Sequence, residues 1–188
     1  MNQTTNVVRW TIQDVEALPD NEGIRYEIIN GELFVTRSPH HKHQQVTGRI
    51  FAALDSWSLD SGLGEASIMP GLIFSDADNV APDVVWVSRD RLAQIGDEAG
   101  HLRGAPELVV EVLSPGKANE DRDRLAKLKL YSVQGVQEYW IVDRIAQLIA
   151  VYRRENAQLA LIATLRSEDQ ITSPLLPGFA CGVARLFA

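Results

Sequence analysis

The chain has 188 residues, of which 45% are hydrophobic, and this is enough for one folded domain with a real core. Its formal net charge is -7 and its pI is about 5.1. This balance argues against tight non-specific binding to nucleic acid, because such binding depends on Lys and Arg side chains that neutralise phosphates.

The single cysteine, Cys181, excludes an internal disulfide and fits a reducing compartment, so we expect a cytoplasmic protein. Residues 1–8 lack a basic segment followed by an apolar run, which predicts no signal peptide. No apolar run approaches the roughly 18 residues of a membrane span, so we expect no membrane contact.

The first predicted element is a short helix over residues 10–18, with Thr11 as its cap and Asp14 completing a capping-box-like pattern. A loop over residues 19–23 follows. The pair Asn30-Gly31 then predicts a hairpin over residues 26–35. Glu27 and Glu32 flank this turn, and we expect both to be exposed polar strand residues.

Three histidines, His40, His41 and His43, lie within four positions. A zinc site is disfavoured because the chain has no second cluster of ligands and zinc prefers tetrahedral sets of nitrogen and sulfur ligands. The pattern favours a helix start, with Ser38 as the candidate cap. Residues 44–59 then form an amphipathic helix. Its predicted buried side consists of Val46, Ile50, Ala53, Leu54 and Trp57.

Residues 65–69 and 72–74 are predicted strands separated by Pro70-Gly71. Residues 76–79 form a polar turn that superficially resembles a calcium-binding loop. The rest of a calcium loop is missing, so we interpret it as an ordinary turn. A short helix is expected over residues 89–95.

Two predicted strands each carry one carboxylate, Asp83 and Glu111. Apolar residues surround Glu111 on both alternating faces, which is typical of a central strand covered on two sides. A carboxylate there costs several kcal/mol unless it is paired, protonated or bound to a cation. Asp83 could instead cap its strand and Glu111 could pair with an arginine. The two acids together, with a lysine-bearing helix next, favour a metal site.

That helix is predicted over residues 119–133, with Asn119 as N-cap and Gly135 as the C-terminal stop. Its spacing places Glu120, Arg124, Lys127 and Tyr131 in one stripe. A solvated ion-pair stripe is the simpler interpretation. Tyr131 at its end argues for partial burial and would let Lys127 lean toward the strand ends.

Further strands are predicted over residues 138–142, 148–152 and 159–165, and residues 171–188 form a tail with a last short helix from Val183. Strand, helix and strand alternate over residues 107–142. The pattern therefore predicts a mixed α/β (α+β) fold, with a mixed central sheet flanked by helices.

The chain resembles the Uma-two family of bacterial endonucleases, part of the PD-(D/E)XK restriction-endonuclease-like superfamily. The motifs that carry the resemblance are Pro82-Asp83, residues 111–115, Asp121-Arg122, residues 127–131 and residues 135–143. Further matches are residues 26–33, His43-Gln44 and residues 176–179. The resemblance covers roughly residues 26–187. It implies one restriction-endonuclease-like domain over residues 1–188, with residues 1–22 as a helical extension and 23–188 as the core.

The resemblance implies catalytic roles for Asp83, Glu111 and Lys127, with the two acids as metal ligands. The superfamily usually places its lysine two residues after the second acid, where this chain has Leu113. In the family the lysine lies on the next helix, at the position of Lys127, and Lys117 is the competing candidate. Secondary site candidates are Glu27, Glu32, His43 and Tyr131.

The implied activity is metal-dependent hydrolysis of phosphodiester bonds in DNA, with Mg²⁺ or Mn²⁺ as cofactor. A homodimer would be a natural way to cut both strands. Basic residues that could meet DNA are Arg37, Lys42, Arg49, Arg122, Arg124, Lys127 and Lys129. One alternative is a catalytically degenerate module that binds nucleic acid or protein. Another is a small-molecule phosphodiesterase with a closed pocket, since one fold hosts many functions.

Overall fold

The computed structural model describes residues 8–19, 23–37 and 40–188. The described elements in chain order are α1 (Ile12–Glu16), β1 (Ile24–Ile29), β2 (Glu32–Arg37), α2 (His41–Ser61), β3 (Gly64–Ile68), β4 (Leu72–Ser75), β5 (Asp78–Val80), β6 (Val84–Ser88), α3 (Arg89–Ile95), β7 (Leu108–Val112), α4 (Lys117–Asp121), a π-helical turn (Arg122–Lys127), α5 (Leu128–Gln134), β8 (Glu138–Asp143), β9 (Leu148–Glu155), β10 (Gln158–Leu165), β11 (Gln170–Ile171), β12 (Cys181–Gly182) and α6 (Val183–Phe187).

The largest sheet has six strands in the order β10-β9-β8-β7-β6-β3. Its strands are antiparallel except for β7 and β8, which run parallel and are joined by the helical segment between them. A second sheet has the order β2-β1-β5-β4, and β11 and β12 form a small third pair. The predicted mixed central sheet is therefore confirmed.

The central strands of the six-stranded sheet, β6, β7 and β8, are buried on both faces, as their continuous apolar runs predict. All five residues of β7 are buried. Helix α2 and the C-terminal segment cover one face with Val46, Ile50, Leu54, Leu176, Phe179 and Leu186. The second sheet, α3 and α5 cover the other with Ile29, Leu72, Val80, Ile95, Leu130 and Tyr131. We expected helices on both faces of the central sheet. On one face the second sheet covers it together with the helices.

Local sequence signals account for several element ends. Thr11 and Asp14 form the expected reciprocal capping box of α1. Asn30 and Gly31 have φ angles of 51° and 77°, which the two-residue turn of the β1–β2 hairpin requires. Helix α2 is capped by His40, whose side chain accepts a hydrogen bond from the Lys42 backbone. The expected cap Ser38 lies outside the described residues.

Two expectations about loops are wrong. Residues 76–79 are not only a turn, because β5 begins at Asp78 and pairs with both β1 and β4. The C-terminal tail also contains strands β11 and β12 before α6 begins at Val183. Of these pairings, the one between β1 and β5 joins distant parts of the chain, which a local pattern does not reveal.

The helical segment after β7 also differs from its prediction. It begins at Lys117, and its cap position is Gly116, with no side-chain capping bond. Asn119 is not the N-cap; its side chain donates to the Pro115 carbonyl at 2.9 Å. A π-helical turn over Arg122–Lys127 interrupts the predicted helix. Gly135, with φ 96°, ends the segment as expected.

Within the described ranges, no helix combines the length and apolar character needed to cross a membrane.

Candidate active site

Asp83 and Glu111 lie together where β6 begins and β7 ends. Val84 pairs with Val110 across these antiparallel strands, so Asp83 is placed beside the end of β7. The Val112 backbone N–H donates to Asp83 Oδ2 at 2.8 Å. Asp83 and Glu111 are only 3% and 2% exposed, respectively. Burial of two carboxylates side by side demands compensation from cations or hydrogen bonds.

Lys127 supplies part of that compensation. Its Nζ lies 2.7 Å from Glu111 Oε1 and 2.9 Å from Glu27 Oε1. The lysine is completely buried and is the last residue of the π-helical turn. Four residues on, the Tyr131 hydroxyl donates to Glu111 Oε1 at 2.9 Å. Lys127 and Tyr131 thus face the same acid, and the predicted lean of Lys127 toward the strand ends is observed.

Glu27 lies in this cluster, and the expectation that it is exposed is wrong. It is 1% exposed, and its Oε1 also accepts a hydrogen bond from the Ala81 backbone at 2.9 Å. Its Oε2 is buried without a hydrogen-bond partner among the described residues. Ile28 and Ile29 follow it directly. This is the same signal, apolar residues on both strand faces, that marked Glu111.

Arg122 and Asp123 extend the cluster, and Asp123 was not predicted as a site residue. Arg122 contacts both oxygens of the Asp123 carboxylate, at 2.8 and 3.1 Å. Its NH1 lies 3.8 Å from Glu27 Oε2. Arg122 is 6% exposed and Asp123 is fully buried. The π-helical turn therefore directs Arg122, Asp123 and Lys127 inward.

His43 approaches the acids from α2, on the opposite side of the sheet. Its Nε2 lies 2.8 Å from the Val112 carbonyl oxygen and 3.2 Å from Asp83 Oδ2. His43 is buried, whereas His40 and His41 are exposed. The three histidines therefore do not act together, and only His43 joins the site.

Two candidates lie outside the cluster. The Lys117 side chain is 86% exposed and pairs with Asp121 at 2.5 Å. Glu32 is exposed beside the hairpin turn. The structure therefore brings Lys127, and not Lys117, to the strand acid Glu111. Glu120 and Arg124 form the outer part of the predicted stripe, with 3.9 Å between their charged groups.

The pKa values of the three acids diverge because their partners differ. Burial, with the charges of neighbouring carboxylates, raises the pKa of Glu111 to about 7 against the pull of Lys127. Burial also acts to raise the pKa of Asp83, but the hydrogen bond and charge of His43 outweigh it and lower that pKa. In Glu27 burial is outweighed mainly by the Lys127 charge, so its pKa is lowered.

The pKa values of Lys127 and His43 are both raised. Burial acts to lower the pKa of Lys127, but the charges of Glu111, Glu27 and Asp123 outweigh it. Burial also acts to lower the pKa of His43, but the hydrogen bond to Asp83 and the charge of that acid outweigh it and raise this pKa. Lys127 is therefore a permanent cation at neutral pH.

The donor set suits a hard divalent cation. Among the described residues, the hydrogen bonds of Asp83 and Glu111 end on one oxygen each, Oδ2 and Oε1, so the second oxygens are available. The cluster holds four buried carboxylates and two buried cations, with His43 beside Asp83 and the half-buried Arg25 at the edge. The carboxylates are Glu27, Asp83, Glu111 and Asp123, and the cations are Arg122 and Lys127. These carboxylate oxygen donors fit Mg²⁺ or Mn²⁺, which retain several waters.

No preformed cage is present, however. Among residues 8–19, 23–37 and 40–188, no three His, Cys, Asp or Glu side chains are grouped closely enough to hold a metal ion. The fit therefore rests on two carboxylates, Asp83 and Glu111.

The fold is shared with a solved structure. A crystal structure from Anabaena variabilis ATCC 29413, described as a putative nuclease belonging to DUF820, superposes with a TM-score of 0.71. It is 21% identical, and the alignment covers 94% of this chain and 97% of that one.

The chain itself belongs to the Uma2 family, described as "Putative restriction endonuclease", whose family model matches residues 12–184. The resemblance expected from the sequence motifs is therefore confirmed. The comparison with curated proteins found no match.

Proposed function

We propose that the protein is a metal-dependent endonuclease that hydrolyses phosphodiester bonds in DNA. One observation carries this proposal: the buried Lys127 ammonium contacts Glu111 at 2.7 Å, beside Asp83 at the adjoining strand. Two strand acids and a lysine are the groups that metal-assisted phosphodiester hydrolysis uses. Membership of the Uma2 family, described as "Putative restriction endonuclease", supports the same reaction class.

Asp83 and Glu111 would hold the Mg²⁺ or Mn²⁺ ion through their available oxygens. When bound, such an ion supplies Lewis-acid stabilisation of phosphate oxygens and a bound water of lowered pKa. The other oxygen of each acid is already fixed: the Val112 N–H donates to Oδ2 of Asp83, and Lys127 and Tyr131 donate to Oε1 of Glu111. The ligands are thus held in place before the ion arrives.

Lys127 serves as a fixed positive charge in this proposal. Because its pKa is raised, it cannot act as a general base near neutral pH. It can donate to a phosphate oxygen or orient the attacking water. His43 serves as a positioning residue. Its Nε2 contacts Asp83 and the Val112 carbonyl and so fixes the end of the strand.

The direct test is nicking of supercoiled plasmid DNA by the purified wild-type protein with Mg²⁺, with Mn²⁺ and with EDTA. We expect nicking only with a divalent ion. Asp83→Asn and Glu111→Gln should each lower the rate by about 100-fold or more, since each removes one charged ligand without changing side-chain size.

Glu98→Gln is the matched control, because Glu98 is exposed and lies outside the cluster. It removes the same charge and should leave the rate unchanged. Wild-type rates in both folded site variants would refute the assignment of these acids. No nicking by the wild type with either ion would refute the endonuclease activity.

A degenerate nuclease-fold module that binds nucleic acid or protein is the second candidate. The observation that favours it is that Lys127 is ion-paired with both Glu27 and Glu111, so the acids already have an internal cation. Metal binding separates the two candidates. A degenerate module would not bind Mg²⁺ at Asp83 and Glu111, whereas the proposed enzyme must.

A further inference from the structure

A cleft of about 380 Å³ opens beside the buried acids, between the β1–β2 hairpin and the start of the helical segment after β7. Its polar lining includes Arg25, Arg37, His40, Ser114, Asn119 and Arg122. None of its lining residues within the described ranges is an acid. This is unexpected in a chain with 25 acidic residues and 18 Lys and Arg, so the cleft is a local positive surface on an acidic protein.

Two of the arginines join the cleft to the candidate active site. Arg122 lines the cleft, and its NH1 lies 3.8 Å from Glu27 Oε2. Arg25 donates from NH1 to the Ala81 carbonyl at 2.7 Å, two residues before Asp83. The charge of Arg25 also contributes to the lowered pKa values of Glu27 and Asp83. An anion in the cleft would therefore border the carboxylate cluster without being repelled by an acid in the lining.

Arg37 is the arginine available to a ligand. It is the last residue of β2 and is exposed. Its side chain makes no hydrogen bond or ion pair with any residue in the described part of the chain, unlike Arg25 and Arg122. Its guanidinium group can thus offer its planar pair of donors to a phosphate.

We propose that this cleft binds the sugar-phosphate backbone of the DNA substrate, with Arg37 in direct contact with a phosphate beside the cleaved bond. The inference rests on the proposed function, because it names the surface that presents DNA to Asp83 and Glu111. The chemistry follows from the described lining residues. They are positive or hydrogen-bonding and include no carboxylate, which matches a phosphodiester chain. Because the net charge is -7, a locally positive surface of this kind is needed for DNA to bind.

The test measures binding of a short fluorescein-labelled DNA duplex, and of one of its strands, by fluorescence anisotropy across a series of salt concentrations. EDTA is present throughout, so that no cleavage occurs. Loss of one phosphate contact should weaken binding by about eightfold near 0.1 M salt and reduce the salt slope by about 1. We expect this loss in Arg37→Ala, while Arg37→Lys should retain the salt slope because it keeps the charge.

Arg166→Ala is the matched control, because Arg166 is exposed and lies outside the cleft. It changes the net charge equally and should bind as the wild type does. The proposal is overturned if Arg37→Ala binds like the wild type, if Arg166→Ala weakens binding equally, or if neither form of DNA binds to the wild-type protein. Arg37-dependent binding without metal-dependent nicking would support the cleft and refute the endonuclease activity, so the two failures are distinguishable.

Discussion

Lys127 Nζ lies 2.7 Å from Glu111 Oε1, with both side chains almost completely buried in the layer between the two larger sheets. Loss of Lys127 would leave the buried Glu111 without its cation, and an unpaired buried charge costs several kcal/mol. The pair links the end of β7 to the π-helical turn, and Glu27 joins it from β1. Structural stability and the proposed chemistry thus depend on the same contact.

The first prediction concerns the stability of a Lys127 variant. Lys127→Met leaves Glu27 and Glu111 buried without their shared cation, and we expect the free energy of unfolding to fall by about 3–5 kcal/mol. Urea denaturation measures this loss. Lys129→Met removes an exposed lysine from the same segment and should change stability by less than about 0.5 kcal/mol.

A double variant separates lost charge pairing from lost packing. Lys127→Met combined with Glu111→Gln removes the lysine and one of its acids together, and it should recover part of the stability lost in Lys127→Met. A double variant as unstable as the sum of its single changes would show that the two residues are not energetically coupled.

The second prediction is a pH dependence caused by Glu111. Its pKa is raised from an ordinary value of 4.5 to about 7, so the folded protein holds this proton more tightly than the unfolded chain does. The stability contribution is therefore full below about pH 4.5 and is lost as the pH rises through about 7, with a slope of at most about 1.4 kcal/mol per pH unit.

Unfolding free energies of the wild type and of Glu111→Gln, measured across this pH range, test the prediction. The wild-type value should fall relative to the variant as the pH rises. If the wild-type free energy of unfolding minus that of Glu111→Gln stays constant or increases as the pH rises, the pKa of Glu111 is not raised in the folded protein. Glu98→Gln, at an exposed position, should follow the wild type at every pH.

The third prediction uses two glycines with open space around them. Gly135 has φ 96° at the end of α5, where a β-carbon is strained, and Gly135→Ala should cost about 1 kcal/mol. Gly48 lies inside α2, where alanine is the better helix former, and Gly48→Ala should gain about 0.5–1 kcal/mol. Thermal unfolding should therefore shift in opposite directions in the two variants, and shifts of the same sign would contradict this explanation.

Signals confined to a few residues were predictable from the sequence. The capping box at Thr11, the hairpin turn at Asn30 and the helix end at Gly135 each need only their neighbours, and all three are confirmed. The buried strand around Glu111 was predictable because its apolar run has no polar face. The proximity of Glu111 to Asp83 and Lys127 was expected from the family motifs.

The rest depends on distant pairing or on small backbone changes. Burial of Glu27 results from packing of β1 against the helical segment far along the chain, and its apolar neighbours Ile28 and Ile29 indicate burial without identifying Lys127 as the partner. Strand β5 is short and polar and exists because β1 and β4 flank it. The π-helical turn changes the direction of Arg122, Asp123 and Lys127, and a regular helical stripe did not predict their shared burial.

The most direct measurement of the central claim is calorimetric titration of Mg²⁺ into the wild type, Asp83→Asn and the exposed-site control Asp60→Asn. We expect binding to the wild type and to Asp60→Asn, and none to Asp83→Asn. Equal binding by the folded Asp83→Asn variant, or no Mg²⁺ or Mn²⁺ binding by the wild type, would contradict a metal site at Asp83 and Glu111.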